Sequence, residues 1–197
     1  MKKKIFLAAI FCFFSACGQK NEISERQIFA EIPAGSRNIR ENIPPTKTAK
    51  IISARGFFVG EKTFLTVAHF LPRGAKIKHF SEISRDDKND LLLLKSEKSG
   101  KKLFLAAKNP KIGAEIFECE TPKSRGKIIK KTATVAENIF GETQFLKNVF
   151  FARGKFQIGE SGKPLCDAKK RVVGILVAVK NGGGFLIGAE KIAKFLN

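Results

Sequence analysis

The 197-residue chain has no tryptophan, no tyrosine, one methionine, two histidines and four cysteines. With so few histidines, and none spaced with cysteine as zinc ligands are, a metal site is not expected, and no organic cofactor is implied. No Walker loop, zinc-finger spacing or aromatic RNA-binding signature is present, so nucleotide-driven and sequence-specific nucleic-acid functions have no support. Acidic residues are scarce: 18 Asp and Glu stand against 37 Lys and Arg, a formal net charge of +19. The lysines are spread along the chain rather than gathered in a stripe. Solubility with a weak attraction to anionic surfaces is therefore the reading, not a specific nucleic-acid partner. The apolar run from Ile5 to Phe14 is too short to span a bilayer as a helix.

What the chain does have is enough apolar residue for a core, 43%, with 17 glycines and 19 phenylalanines. Short apolar runs are interrupted by Gly, Asn, Lys and Pro at close intervals, which predicts an all-β domain rather than a helical bundle. The length fits one domain, or one fold made of two small halves.

The N-terminus reads as an address. Lys2, Lys3 and Lys4 precede a short apolar stretch and then small residues before Cys17, the order of a secretory signal. Phe14-Ser15-Ala16-Cys17 resembles a bacterial lipobox, with Phe14 in place of the usual Leu. That resemblance implies a signal peptide over 1–16, acylation of Cys17, and an exported, membrane-anchored lipoprotein facing the periplasm or cell surface. An ordinary cleaved signal is the alternative. Residues 17–48, polar and holding Pro33, Gly35, Pro44 and Pro45, are expected to be a tether with little regular structure, part of which can drape over the domain. Once Cys12 is removed and Cys17 acylated, Cys119 and Cys166 remain; export allows a disulfide between them without requiring one.

Three stretches carry chemistry. Gly159-Glu160-Ser161-Gly162-Lys163-Pro164-Leu165 places a serine in a glycine-rich turn. A serine hydroxyl needs a base to become a nucleophile, and the attacked carbonyl needs donors aimed at its oxygen. The Gly159 and Ser161 amides are candidates for those donors, since Gly159 can take backbone angles closed to other residues. Thr63-Phe64-Leu65-Thr66-Val67-Ala68-His69 runs through small and apolar residues to a histidine, a side chain that titrates near neutrality. Asn89-Asp90-Leu91-Leu92-Leu93-Leu94 puts an aspartate at the head of an apolar strand, where it can orient an imidazole. Asp86 and Asp87 compete for that role but sit in a polar, Lys- and Arg-rich stretch.

Taken in the order His, Asp, Ser, these stretches resemble the L-T-A-A-H, D-I-A-L-L and G-D-S-G-G-P-L boxes of the trypsin-like serine proteases. Arg171-Val172-Val173-Gly174-Ile175-Leu176-Val177 resembles the strand that lines the family's substrate cleft, and 189–196 resembles its C-terminal helix. The resemblance covers about residues 50–196. It implies a chymotrypsin-like fold of two packed antiparallel β-barrels with a short C-terminal helix. The protease domain would occupy 49–197, its first barrel about 49–107 and its second about 112–188. It also implies His69, Asp90 and Ser161 as catalytic residues, Gly159 and Ser161 as the oxyanion hole, and a protein or peptide substrate.

The departures from the family pattern set the remaining expectations. His69 and Asp90 are 21 residues apart, so loops must be short. Glu160 stands where the family has Asp or Asn, and an acylated N-terminus cannot reach it; any activity is expected without zymogen-style cleavage. Lys163 replaces a small residue, and would either crowd substrate or extend outward. The pocket is expected from Lys155, Ile158, Val177, Val179 and Gly183, with no aspartate at its base to favour Lys or Arg. An inward Lys155 would favour an acidic substrate residue, an outward one a small or apolar residue. The functional expectation is a serine endopeptidase of the cell envelope. The alternative is a protease-fold lipoprotein that binds without cleaving.

Overall fold

A computed structural model describes residues 25–32, 50–71, 73, 76–121, 123–137, 143–180 and 182–197. The signal segment and Cys17 lie outside the described residues.

Among the described residues twelve strands form two closed antiparallel barrels, followed by one helix. The first barrel contains β1 (Glu25–Ile32), β2 (Lys50–Phe58), β3 (Thr63–Thr66), β4 (Lys76–Ile77), β5 (Phe80–Asp86) and β6 (Leu91–Ser96). Its strand order is β1-β2-β3-β6-β5-β4, closed by pairing of β4 with β1. The second contains β7 (Glu115–Glu118), β8 (Ser124–Glu137), β9 (Thr143–Gly154), β10 (Pro164–Cys166), β11 (Val172–Lys180) and β12 (Gly183–Gly188). Its order is β10-β11-β12-β9-β8-β7, closed by β7 on β10. Helix α1 (Ala189–Leu196) follows directly.

One expectation is corrected. Strand β1 falls within the segment read as an irregular tether, and the first barrel begins at Glu25 rather than near residue 49. It pairs with β2 along its whole length, from Glu25 opposite Phe57 to Ile32 opposite Lys50. The reason is closure: without β1, both β2 and β4 would present unpaired edges.

The barrels share one core. Phe57, Phe64, Leu65, Leu91, Leu92 and Leu94 of the first barrel join a continuous apolar cluster with Val172, Ile175, Val177 and Ile187 of the second. Phenylalanine supplies much of the bulk that Trp and Tyr do not: Phe64 packs against Phe58 and Phe80, each at 5.2 Å between ring centres. A separate cluster of Ile116, Ile128, Leu165, Val173 and Leu186 fills the second barrel. Strand β11 is buried from Val172 to Val177 because it faces both clusters, so it reads as a continuous apolar run rather than an alternating one.

The connection between the barrels binds to both. Leu103 donates to Phe58 O at 2.8 Å, and Ala106 and Val172 exchange bonds with Val172 O and Phe104 O, also at 2.8 Å. A disulfide joins Cys119, just after β7, to Cys166 of β10, with Cα atoms 5.1 Å apart. Closing a 47-residue separation contributes about 4 kcal/mol in the chain-entropy account.

Candidate active site

Strand β3 carries buried Phe64, Leu65 and Thr66 to the barrel edge, and Val67 and Ala68 continue as core before His69. The loop is fixed from two sides. Ala68 N–H donates to Asp90 O at 3.3 Å, and Ala68 O accepts from Arg85 Nη1 at 3.2 Å. The Arg85 side chain is only 5% exposed and is also held by Glu82 at 3.0 Å.

Asp90 lies immediately before β6 with φ +56° and its side chain fully buried. Aspartate tolerates this left-handed backbone better than most residues. The turn that delivers it is tied by Asp86, whose two carboxylate oxygens accept from Asn89 N–H at 3.0 Å and Asn89 Nδ2 at 2.7 Å. Asp87 faces outward to Arg73. Asp90 accepts the His69 backbone N–H on Oδ1 at 2.7 Å and the His69 ring Nδ1 on Oδ2 at 2.6 Å. An ionised carboxylate can only accept, so Nδ1 carries the proton and Nε2 keeps its lone pair. The imidazole is 11% exposed, leaving one edge of the ring to the outside.

Ser161 comes from the second barrel and is half-buried. Its carbonyl accepts Arg55 N–H at 3.0 Å, which fastens the serine loop to β2 of the first barrel. Gly162 has φ +90°, and a Cβ there would fall 1.8 Å from Arg55 O. That oxygen is also bonded by Thr66 Oγ1 at 2.6 Å, so it has no room to retreat. Gly162 N–H and Lys163 O then bond Leu176 O and Leu176 N–H at 2.8 and 3.0 Å. Gly159 also has φ +90°, but opens to solvent. Neither the Gly159 nor the Ser161 N–H has a hydrogen-bond partner among the described residues. Nor does a hydrogen bond join Ser161 Oγ to His69 among them.

Glu160 and Lys163, the two departures beside Ser161, belong to one buried charge network. Glu160 is bonded by Arg125, by Gln157 N–H at 2.9 Å and by Lys163 Nζ at 3.4 Å. Glu118 accepts from the same two cations, Arg125 at 3.1 Å and Lys163 at 3.2 Å, closing a ring of alternating charge. Burial pushes the Glu118 carboxyl up, but its bonds to Lys163 and Thr121 and the charges of Lys163 and Arg125 outweigh this and hold it below the ordinary range. Lys163 thus takes neither expected course: it folds back under the serine loop, 8% exposed. Arg125 stacks over Phe156 at 5.5 Å. Glu118, Arg125 and Arg85 were not found from sequence, because their partners are distant in the chain and no local pattern marks them.

The five residues expected to form the walls of a pocket have different surroundings. Val177 is buried in the shared core, and Ile158 is 94% exposed. Lys155 points outward, and Val179 is half-buried. Gly183 lies against Phe151, where a Cβ would be 2.3 Å from the ring. Among the described residues no group of three or more His, Cys, Asp or Glu could hold a metal ion, and no helix is long and apolar enough to cross a membrane.

No protein-family model and no curated protein sequence matches the chain. Solved structures do. The Rv3671c protease from M. tuberculosis in its active form is similar at a TM-score of 0.62 and 21% identity, over 89% of this chain and 80% of that one. The MamO protease domain from Magnetospirillum magneticum is similar at 0.59 and 18%, over 86% and 95%. Deg5 is similar at 0.58 and 15%, over 89% and 88%. At these identities the likeness shows the fold: two β-barrels of the trypsin-like protease type.

Proposed function

We propose that this chain is a serine endopeptidase of the bacterial cell envelope, working through an acyl-enzyme. The observation that carries the reading is the His69–Asp90 pair, a fully buried carboxylate accepting both the backbone and ring N–H of one histidine. A surface histidine has no need of such a partner; a general base does. His69 Nε2 takes the Ser161 Oγ proton as Oγ bonds to the substrate carbonyl carbon. The carbonyl oxygen becomes negative and is met by the Gly159 and Ser161 amides, which have no partners of their own in the described structure. His69 then gives its proton to the leaving amine as the C–N bond breaks, and a water repeats the sequence to release the acid and restore Ser161. Asp90 stays ionised throughout and stabilises the imidazolium. The trypsin-like fold and neighbours that are proteases support a peptide or protein substrate.

The location is part of the proposal. The basic N-terminus, the apolar stretch and Cys17 support export and lipid anchoring, and the Cys119–Cys166 bond fits an oxidising compartment. Growth with a labelled fatty acid tests it: wild-type protein should take up label and Cys17→Ser should not. Equal labelling of both would contradict the anchor.

Activity is tested by digesting an unfolded protein substrate with the wild-type chain and with Ser161→Ala. New peptide termini are expected only with the wild type; equal yields, or none, would contradict the proposal. One set of observations favours the second reading, a binding module without turnover. No Ser161–His69 hydrogen bond joins the described residues, and Val177 is packed into the core. If Ser161→Ala retains the full biological role, that reading stands instead.

A further inference from the structure

A cavity of about 710 Å³ lies apart from the triad, and none of His69, Asp90 or Ser161 lines it. Three elements build it: the turn at 86–89 from the first barrel, β9 from the second, and α1. Lys88, Lys147, Lys191 and Lys194 surround it, with Phe145 and Phe195 supplying apolar surface. A smaller cavity of about 250 Å³ shares Lys191, Lys194 and Asn148 and brings in Lys131. Phe145 is 59% exposed, although it is a large apolar ring.

The charge around this groove is net positive. Asp86 lines it and accepts from Asn89, and Glu190 lines the smaller cavity and accepts from Asn109 N–H and Nδ2 at 3.2 and 2.7 Å; both keep their charge but neither forms an ion pair with a lysine there. Among the described residues none of Lys88, Lys131, Lys147, Lys191 and Lys194 is in an ion pair. Lys147 lies 5.8 Å from the Phe145 ring centre, and Lys191 Nζ donates to Lys147 O at 2.7 Å. Burial lowers the Lys191 pKa, as do the charges of Lys131 and Lys88, against an opposing effect of Asp86. Five lysines against two carboxylates leave the site with a net positive potential.

We infer that this groove is a second binding site, one that takes an acidic peptide segment bearing an apolar side chain. The volume is that of a ligand pocket. Exposed aromatic surface beside lysines matches alternating apolar and acidic side chains, and Asn89 and Asn148 offer amides suited to a peptide backbone. No arginine lines the groove to grip phosphate in two-point fashion. The chain's own segment 33–49 does not complement it, carrying Arg37, Arg40 and Lys47 against Glu41. A second copy is disfavoured by the same excess of positive charge that runs through the sequence.

The test is fluorescence anisotropy with a labelled octapeptide, Glu-Glu-Phe-Glu-Glu-Phe-Glu-Glu, titrated with the mature chain carrying Ser161→Ala so that the outcome is independent of catalysis. Saturable binding is expected. It should weaken about tenfold in the double variant Lys88→Gln/Lys194→Gln, and weaken also in Phe145→Ser. The double variant Lys108→Gln/Lys169→Gln, at exposed lysines outside the groove, should bind as before. Absence of saturable binding overturns the inference. So does an equal loss in the control variant, which would mean diffuse charge alone. An all-Ser replacement of the two Phe that binds equally well, or groove-dependent binding that is tighter for anionic-lipid vesicles or an oligonucleotide, also overturns it.

Discussion

Asp90 is held in a left-handed backbone so that one carboxylate meets both N–H groups of His69. In Asp90→Asn the amide can donate to Nδ1, the proton moves to Nε2, and the base is lost while packing is kept. Turnover should fall about 10⁴-fold with little change in KM; kinetics beside a thermal melt separate this from unfolding. Gly162, beside Ser161, is also tightly constrained. Gly162→Ala would drive a methyl into Arg55 O and strain a φ of +90°, shifting Ser161. A loss of turnover of about 10²-fold or more is expected, together with a lower melting temperature. His69 and Asp90 stood out as candidates in the sequence because each adjoins small or apolar residues that bury the strand presenting it, and Ser161 because glycines flank it in its turn. Glu118, Arg125 and Arg85 could not, since their roles come from contacts made only after the barrels close.

Among the elements, the serine loop is supported from below by the ring of Glu118, Arg125, Glu160 and Lys163 and by the adjacent disulfide. Removing one cation leaves a buried carboxylate short of a partner. Arg125→Met should therefore cost about 3–5 kcal/mol, read by denaturant unfolding. The same support depends on pH. Glu118 is held below its ordinary value of 4.5, and Asp167 below 3.8: burial pushes Asp167 up, but bonds from Arg171 and Lys169 outweigh it. A depressed folded pKa means the unfolded chain binds the proton first. Stability from these groups is complete above about pH 4.5 and is lost as the pH falls through their lowered folded values. Melting temperature against pH checks this, and Glu118→Gln should flatten the acid limb. At this scale the strands before His69 and after Ser161 were legible, as was α1. Strand β1 was not: its flanks at Pro33, Gly35, Pro44 and Pro45 read as linker, and its need arises from barrel closure, a property of the whole sheet.

As a whole molecule, the protein has its candidate site where two barrels meet. The first barrel supplies His69 and Asp90, the second Ser161, and the Arg55–Ser161 backbone bond holds them together. Anything that opens either barrel should therefore abolish activity with the triad intact. A chain starting at residue 49 lacks β1, so it should melt lower and be cleaved faster by an added protease than one starting at residue 18; equal resistance would contradict the closed first barrel. The central claim is that Ser161 is an activated nucleophile, and a fluorophosphonate probe followed by mass spectrometry of the labelled peptide tests it most directly. The account predicts one adduct, on Ser161, absent in Ser161→Ala and strongly reduced in His69→Ala. A folded wild-type chain that stays unlabelled where control serine proteases react would contradict it.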